Sequence, residues 1–115
     1  MIEAHSRICR RSWSSRAFTR CGPLFCLKEE FREGVQFELC DIRRSMPDGP
    51  FDLILCRNLA FTYFDDALQR YTSNQLRERF RPGGFLVLGT HETLEGKASG
   101  FLRVAPHLPI YRRET

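Results

Sequence analysis

Three short apolar runs punctuate the chain: VQFELC (35–40), FDLILC (51–56) and FLVLGT (85–90). The first alternates imperfectly between apolar and polar residues, and the other two are nearly continuous. Runs of this length, rich in β-forming residues, predict strands covered on both faces. EG precedes the first, PDGP the second and RPGG the third, each with glycine or proline turn chemistry. Between the second and third lies YFDDALQRYTSNQLRERF, where Leu68, Thr72, Leu76 and Phe80 recur four apart with Tyr71 beside them. That stripe predicts a helix. Asp65 or Asp66 is placed to cap its start, Arg77, Arg79 and Arg81 suit its last turn, and PGG stops it. Strand, helix and strand with short joins form a parallel βαβ unit. FLRVA (101–105) and PIYRR (109–113) lie close enough to predict an antiparallel pair at a sheet edge. The fold class expected is therefore α/β, with parallel strands and a C-terminal antiparallel pair.

The N-terminal third patterns less clearly. Residues 2–11 predict a short helix. Within 12–34, Trp13 and Phe18 are candidates to dock, and CGPLFCLKEEF reads as a turn with a short strand or helix. A length of 115 residues suits one domain over 1–115, with a basic, partly irregular segment at 1–34 and an α/β core at 35–115. A hydrophobic content of 42% and ten Phe argue for a globular chain and against a disordered one.

Charge changes the picture at one end only. Residues 1–20 carry Arg7, Arg10, Arg11, Arg16 and Arg20 against Glu3, which equals the net +4 of the whole chain. A basic arm that rests on charge alone is more often a solvated face or a frayed end than a nucleic-acid site. The five cysteines, at 9, 21, 26, 40 and 56, are odd in number and partly inside apolar runs, which suggests reduced thiols in an intracellular protein. No C-x2-C pair has a matching second half, so no metal site is expected. The chain has no apolar stretch of membrane-spanning length and no secretory signal pattern, and a soluble cytoplasmic protein is the expectation.

Ligands of open parallel sheets lie beyond the carboxyl ends of the strands. Asp41, Ile42 and Arg43 follow the first predicted strand, Arg57 and Asn58 the second, and His91 and Glu92 the third. These ends are expected to converge on one crevice. Each residue also has a plain structural reading: Asp41 as a turn cap, Arg57 in an ion pair, Asn58 satisfying loop backbone, Glu92 as a solvated loop residue. Cys56 reads as a buried small hydrophobe, since no histidine follows it closely as a base.

The stretches GPFDLILCRNLAFTYFD, LQR, RFRPGGFLVLGTHETL and YRR together resemble the C-terminal half of the CheR-type chemotaxis receptor methyltransferases, over about residues 35–113. The resemblance implies a partial Rossmann-like, class I methyltransferase sheet and S-adenosylmethionine as cofactor. It implies methyl transfer to a protein carboxylate or to a small acceptor. It places cofactor contacts on Asp41 and Ile42, where the family commonly has Asn-Leu, and on Arg57 and Asn58. The active-site tyrosine of the family falls on Tyr63, one residue further from Asn58 than in the family pattern. The motif GHSE of the family appears as GTHE, which matches Glu92 and displaces His91 by one. The family's Gly-rich cofactor loop and the acid that holds the ribose hydroxyls have no counterpart in residues 1–34, and MIEAHSRICRR resembles the helix that follows that acid. The chain is thus expected to begin partway through the domain, and a truncated, non-catalytic fragment acting at most as a binding module stands as the alternative reading.

Overall fold

The computed structural model describes residues 15–96 and 98–114. The expected helix over 2–11, the docking of Trp13 and most of the arginine-rich arm lie outside the described residues. Two compact units are present, Met1–Leu39 and Cys40–Thr115.

In the first unit, β1 (Phe18–Cys21) and β2 (Leu24–Leu27) form an antiparallel hairpin. Its two-residue loop is Gly22-Pro23, and Gly22 takes the positive φ of 61° that such a tight reversal requires. One helical turn follows, α1 (Glu29–Arg32), with two acids in its first turn. The strand expected over 35–40 does not form. These residues join no ladder, and Phe37 and Leu39 are almost fully exposed. An alternating pattern supplies the side chains of a strand but not the neighbouring backbone whose N–H and C=O groups must complete it.

In the second unit, β3 (Phe51–Leu55), β4 (Phe80–Val87), β5 (Phe101–Arg103) and β6 (Ile110–Arg113) form one mixed sheet in the order β3-β4-β6-β5. β3 and β4 are parallel, as the sequence predicts, while β6 runs antiparallel to both β4 and β5. The C-terminal pair is thus built into the sheet through β6, and only β5 lies at the edge. β4 begins at Phe80, five residues before the expected strand, so Phe80 belongs to the sheet and not to the helical stripe.

The crossover holds two helices, α2 (Ala60–Tyr63) and α3 (Asp66–Glu78). Asp65 caps α3, its carboxylate accepting from the Leu68 N–H at 2.8 Å. The buried face of α3 is Gln69, Thr72, Ser73 and Leu76. It is rotated from the expected stripe, for Leu68 is only half-buried and Tyr71 is exposed. The helix stops because Arg79, its C-cap, donates its side chain to the Pro47 and Gln75 carbonyls and hands the chain directly to β4.

Register decides which side of the sheet is the core. Ile54, Leu86, Tyr111 and Arg103 are successive partners across the four strands and share one face. On that face Leu86 and Tyr111 pack with Ala60, Phe61, Leu76, Phe80, Leu88 and Leu94 in the single buried cluster of the described residues. The next row, Leu53, Phe85, Arg112 and Leu102, points to the opposite face and is exposed throughout.

Candidate functional site

The site is built where β3 and β4 end. β3 runs out of apolar residues at Cys56, and the chain turns at Asn58, the one described non-glycine residue in the left-handed region, at φ 56°. Asparagine tolerates that conformation better than other side chains. β4 ends at Val87, and the chain continues through the buried Leu88 and Gly89 to Glu92.

Glu92 is 6% exposed, although it was expected as a solvated loop residue. Its Oε1 accepts from the Asn58 N–H at 2.7 Å and from the Gly89 N–H at 2.6 Å, and its Oε2 accepts from the Thr62 hydroxyl at 2.8 Å. One carboxylate therefore ties the end of β3, the end of β4 and α2 together. Burial pushes the Glu92 carboxyl up, but the donors on Asn58, Gly89, Thr62 and Leu59 outweigh it and hold it below the ordinary carboxylate value. A side chain at position 89 has no room: an added Cβ would collide with the Asn58 Oδ1 and come within 2.6 Å of the Glu92 Oε1.

A cleft of about 450 Å³ runs along β3 and past its carboxyl end. Ile42, Met46, Leu53, Leu55 and Leu59 give it apolar walls, and Arg57 and Arg79 are its charged members. No aspartate or glutamate lines it among the described residues. Asp41 is not in its wall. Its carboxylate forms a two-toothed pair with the Arg43 guanidinium at 3.0 and 2.8 Å and also accepts the Arg43 N–H at 3.0 Å. The Arg43 side-chain and backbone donors hold the Asp41 carboxyl down to about 2. This is the turn-capping geometry weighed for Asp41 in the sequence, and it presents Ile42 to the cleft.

The sequence-predicted site residues thus fall in four places. Ile42 and Arg57 share the cleft. Asn58 is gathered by Glu92, and Tyr63, at the last position of α2, is 77% exposed. Asp41 lies in its own turn. His91 is exposed beside the buried Glu92. Burial pushes the Cys56 thiol up, with a small opposing effect from the Ala60 N–H and a further upward push from Glu92, so it is not a poised nucleophile. No group of three or more candidate metal ligands exists among the described residues. Met46, Leu59, Thr62 and Gly89 were not singled out in the sequence. Glu92 was, but as one of several strand-end polar residues; the signal that marked it was its match to the glutamate of the GHSE motif.

Residues 6–107 match the family model described as CheR methyltransferase, SAM binding domain. The chain is similar to the chemotaxis protein methyltransferase 2 of Vibrio cholerae, 32% identical over 92 residues, which are 77% of this chain and 30% of that protein. It is similar to the chemotaxis protein methyltransferase Cher2 of Pseudomonas putida, 31% identical over 83 residues, 70% of this chain and 30% of that one. A chemotaxis protein methyltransferase of Vibrio parahaemolyticus is 40% identical over 53 residues, 46% of this chain and 19% of its own length. The chain therefore spans less than a third of the length of these curated relatives.

Proposed function

The chain belongs to the CheR methyltransferase family, and from that membership we propose that it contributes to S-adenosylmethionine-dependent methyl transfer, with Ile42, Arg57 and Asn58 on the cofactor side and Tyr63 on the acceptor side. The observation that carries this reading is that Ile42 and Arg57 line one apolar cleft along β3, with Arg57 just past the carboxyl end of that parallel strand, where ligands of Rossmann-like sheets bind. The finer fold assignment, a partial Rossmann-like sheet within one domain over 1–115, belongs to the same proposal, as does a cytoplasmic location. No helix of the described residues is long and apolar enough to cross a membrane.

The residues present fit the cofactor in part. Ile42, Met46, Leu55 and Leu59 suit the apolar surface of a purine, and Arg57 offers a planar cation for a carboxylate or an aromatic ring. The ribose hydroxyls and the amino group find no carboxylate acceptor in this cleft. When bound, S-adenosylmethionine supplies a methyl group on a sulfonium, open to direct displacement by an acceptor oxygen. The residues of the chain bind, orient and exclude water, which is most of what such a displacement asks of a protein. A carboxylate acceptor needs no general base, in keeping with a raised Cys56 thiol and an exposed His91.

A second reading is a non-catalytic binding module, favoured by a cleft wall that holds no acidic residue among the described residues. Calorimetric titration of S-adenosylhomocysteine into the purified chain separates the two. Saturable binding that Arg57→Ala weakens supports the first, and no saturable binding leaves the second.

A further inference from the structure

We propose that Glu92 is the positioning residue of this site: a carboxylate clamp that fixes the Arg57–Asn58 turn and α2 against the end of β4. The family match assigns a cofactor domain but no role to this side chain, and the clamp is argued from its contacts.

Three groups converge on Glu92, two of them from far along the chain: Asn58 at 34 residues, Thr62 at 30 and Gly89 at three. Glu92 adds to what else holds them, since Ala60 and Phe61 of α2 also pack in the core. Asn58 is in the left-handed region, which asparagine tolerates and which the bond from its N–H to Glu92 holds in place. α2 is four residues long with no side-chain N-cap, too short to be stable by itself. The Gly89 N–H is buried and has to be satisfied. A charged acceptor suits the task, because hydrogen bonds to an ionised carboxylate are roughly twice as strong as neutral ones. Gly89 completes the arrangement, since only a residue without a Cβ lets the Asn58 side chain and the carboxylate approach together. Arg57 enters the cleft one residue before the clamped Asn58, and Tyr63 leaves α2 one residue after the clamped Thr62. Glu92 thereby sets the spacing between the cofactor side and the acceptor side without touching either ligand.

The test uses the full chain and three variants, Glu92→Gln, Thr62→Val and Thr62→Ser. Amide hydrogen exchange at Asn58 and Gly89 reads the clamp directly, and the Kd for S-adenosylhomocysteine reads its consequence. Glu92→Gln is expected to speed exchange at both amides about tenfold or more and to weaken binding by a similar factor. Thr62→Val is expected to speed exchange only at the Thr62 and Tyr63 amides of α2, and Thr62→Ser to restore it, a rescue that loss of packing would not show. Unchanged exchange at Asn58 and Gly89 in Glu92→Gln overturns the proposal. If that variant does not fold, the Thr62 pair decides, and equal exchange in Thr62→Val and Thr62→Ser overturns it. Because the binding readout rests on the methyl-transfer reading, wild-type chain that binds no S-adenosylhomocysteine sinks that reading while the exchange data still judge the clamp.

Discussion

The two faces of the four-stranded sheet are made of similar residues and live in different surroundings. On one face Leu86 is fully buried and Tyr111 is 3% exposed, packed beneath α2 and α3. On the other, Leu53, Leu55 and Leu102 are each more than half exposed, and none belongs to the buried cluster. β3 shows the contrast within five residues: Ile54 turns toward the core while Leu53 and Leu55 turn away. Apolar residues on both faces of a parallel strand are the pattern of a doubly covered sheet. The described residues of the second unit cover one side, and the cleft draws its walls from Ile54 of that side and from Leu53 and Leu55 of the other.

The comparison can be broken most forcefully by substitution on the two faces. Leu86→Ala should cost about 2–5 kcal/mol in denaturant unfolding, because it opens a cavity in the cluster. Leu55→Ala should stay within about 0.5 kcal/mol, because its side chain is already largely in water. Equal losses at both positions would mean that the second face is covered in solution. Next in size is Gly89→Ala, at the seam between strand ends. Crowding against Asn58 and Glu92 should cost roughly 1–3 kcal/mol in thermal unfolding. Asp65→Ala removes the cap of the helix that covers the core face and should cost about 1 kcal/mol.

Smaller effects come from pH. The Glu92 carboxyl is held below its ordinary 4.5, so its contribution is present above that value and is lost as pH falls below it. Urea midpoints of wild type and Glu92→Gln should therefore differ at neutral pH and converge as pH falls well below 4.5. Asp41 has the same sign further down, with a carboxyl NMR titration midpoint near about 2 that Arg43→Ala moves up toward 3.8.

Much of the second unit is legible in the sequence because its signals are local. The apolar run of β3, the cap at Asp65 and the pairing of residues 101–103 with 110–113 each follow from a few neighbouring residues. The segment 35–40 shows where this stops. Val35, Phe37 and Leu39 alternate as a strand should, yet a strand is completed by the backbone beside it, and none of the described residues provides that backbone. The rotation of the buried face of α3 has a related cause: Gln69 is drawn inward by its bond to the Phe64 carbonyl, which no periodicity reveals. At the site, Arg57 and Asn58 stand out because a strand ends on them. The part played by Glu92 does not, since its burial comes from partners 30 and 34 residues away.

One charge on β3 has a bearing on how copies of this chain behave together. Asp52 stands alone among four apolar residues on a strand whose outer edge has no partner among the described residues, and its largely exposed carboxylate lies 3.6 Å from Arg81. Another strand adding to that edge would have to strip water from this acid and compete with its arginine. Asp52 is thus placed to oppose edge-to-edge pairing at β3.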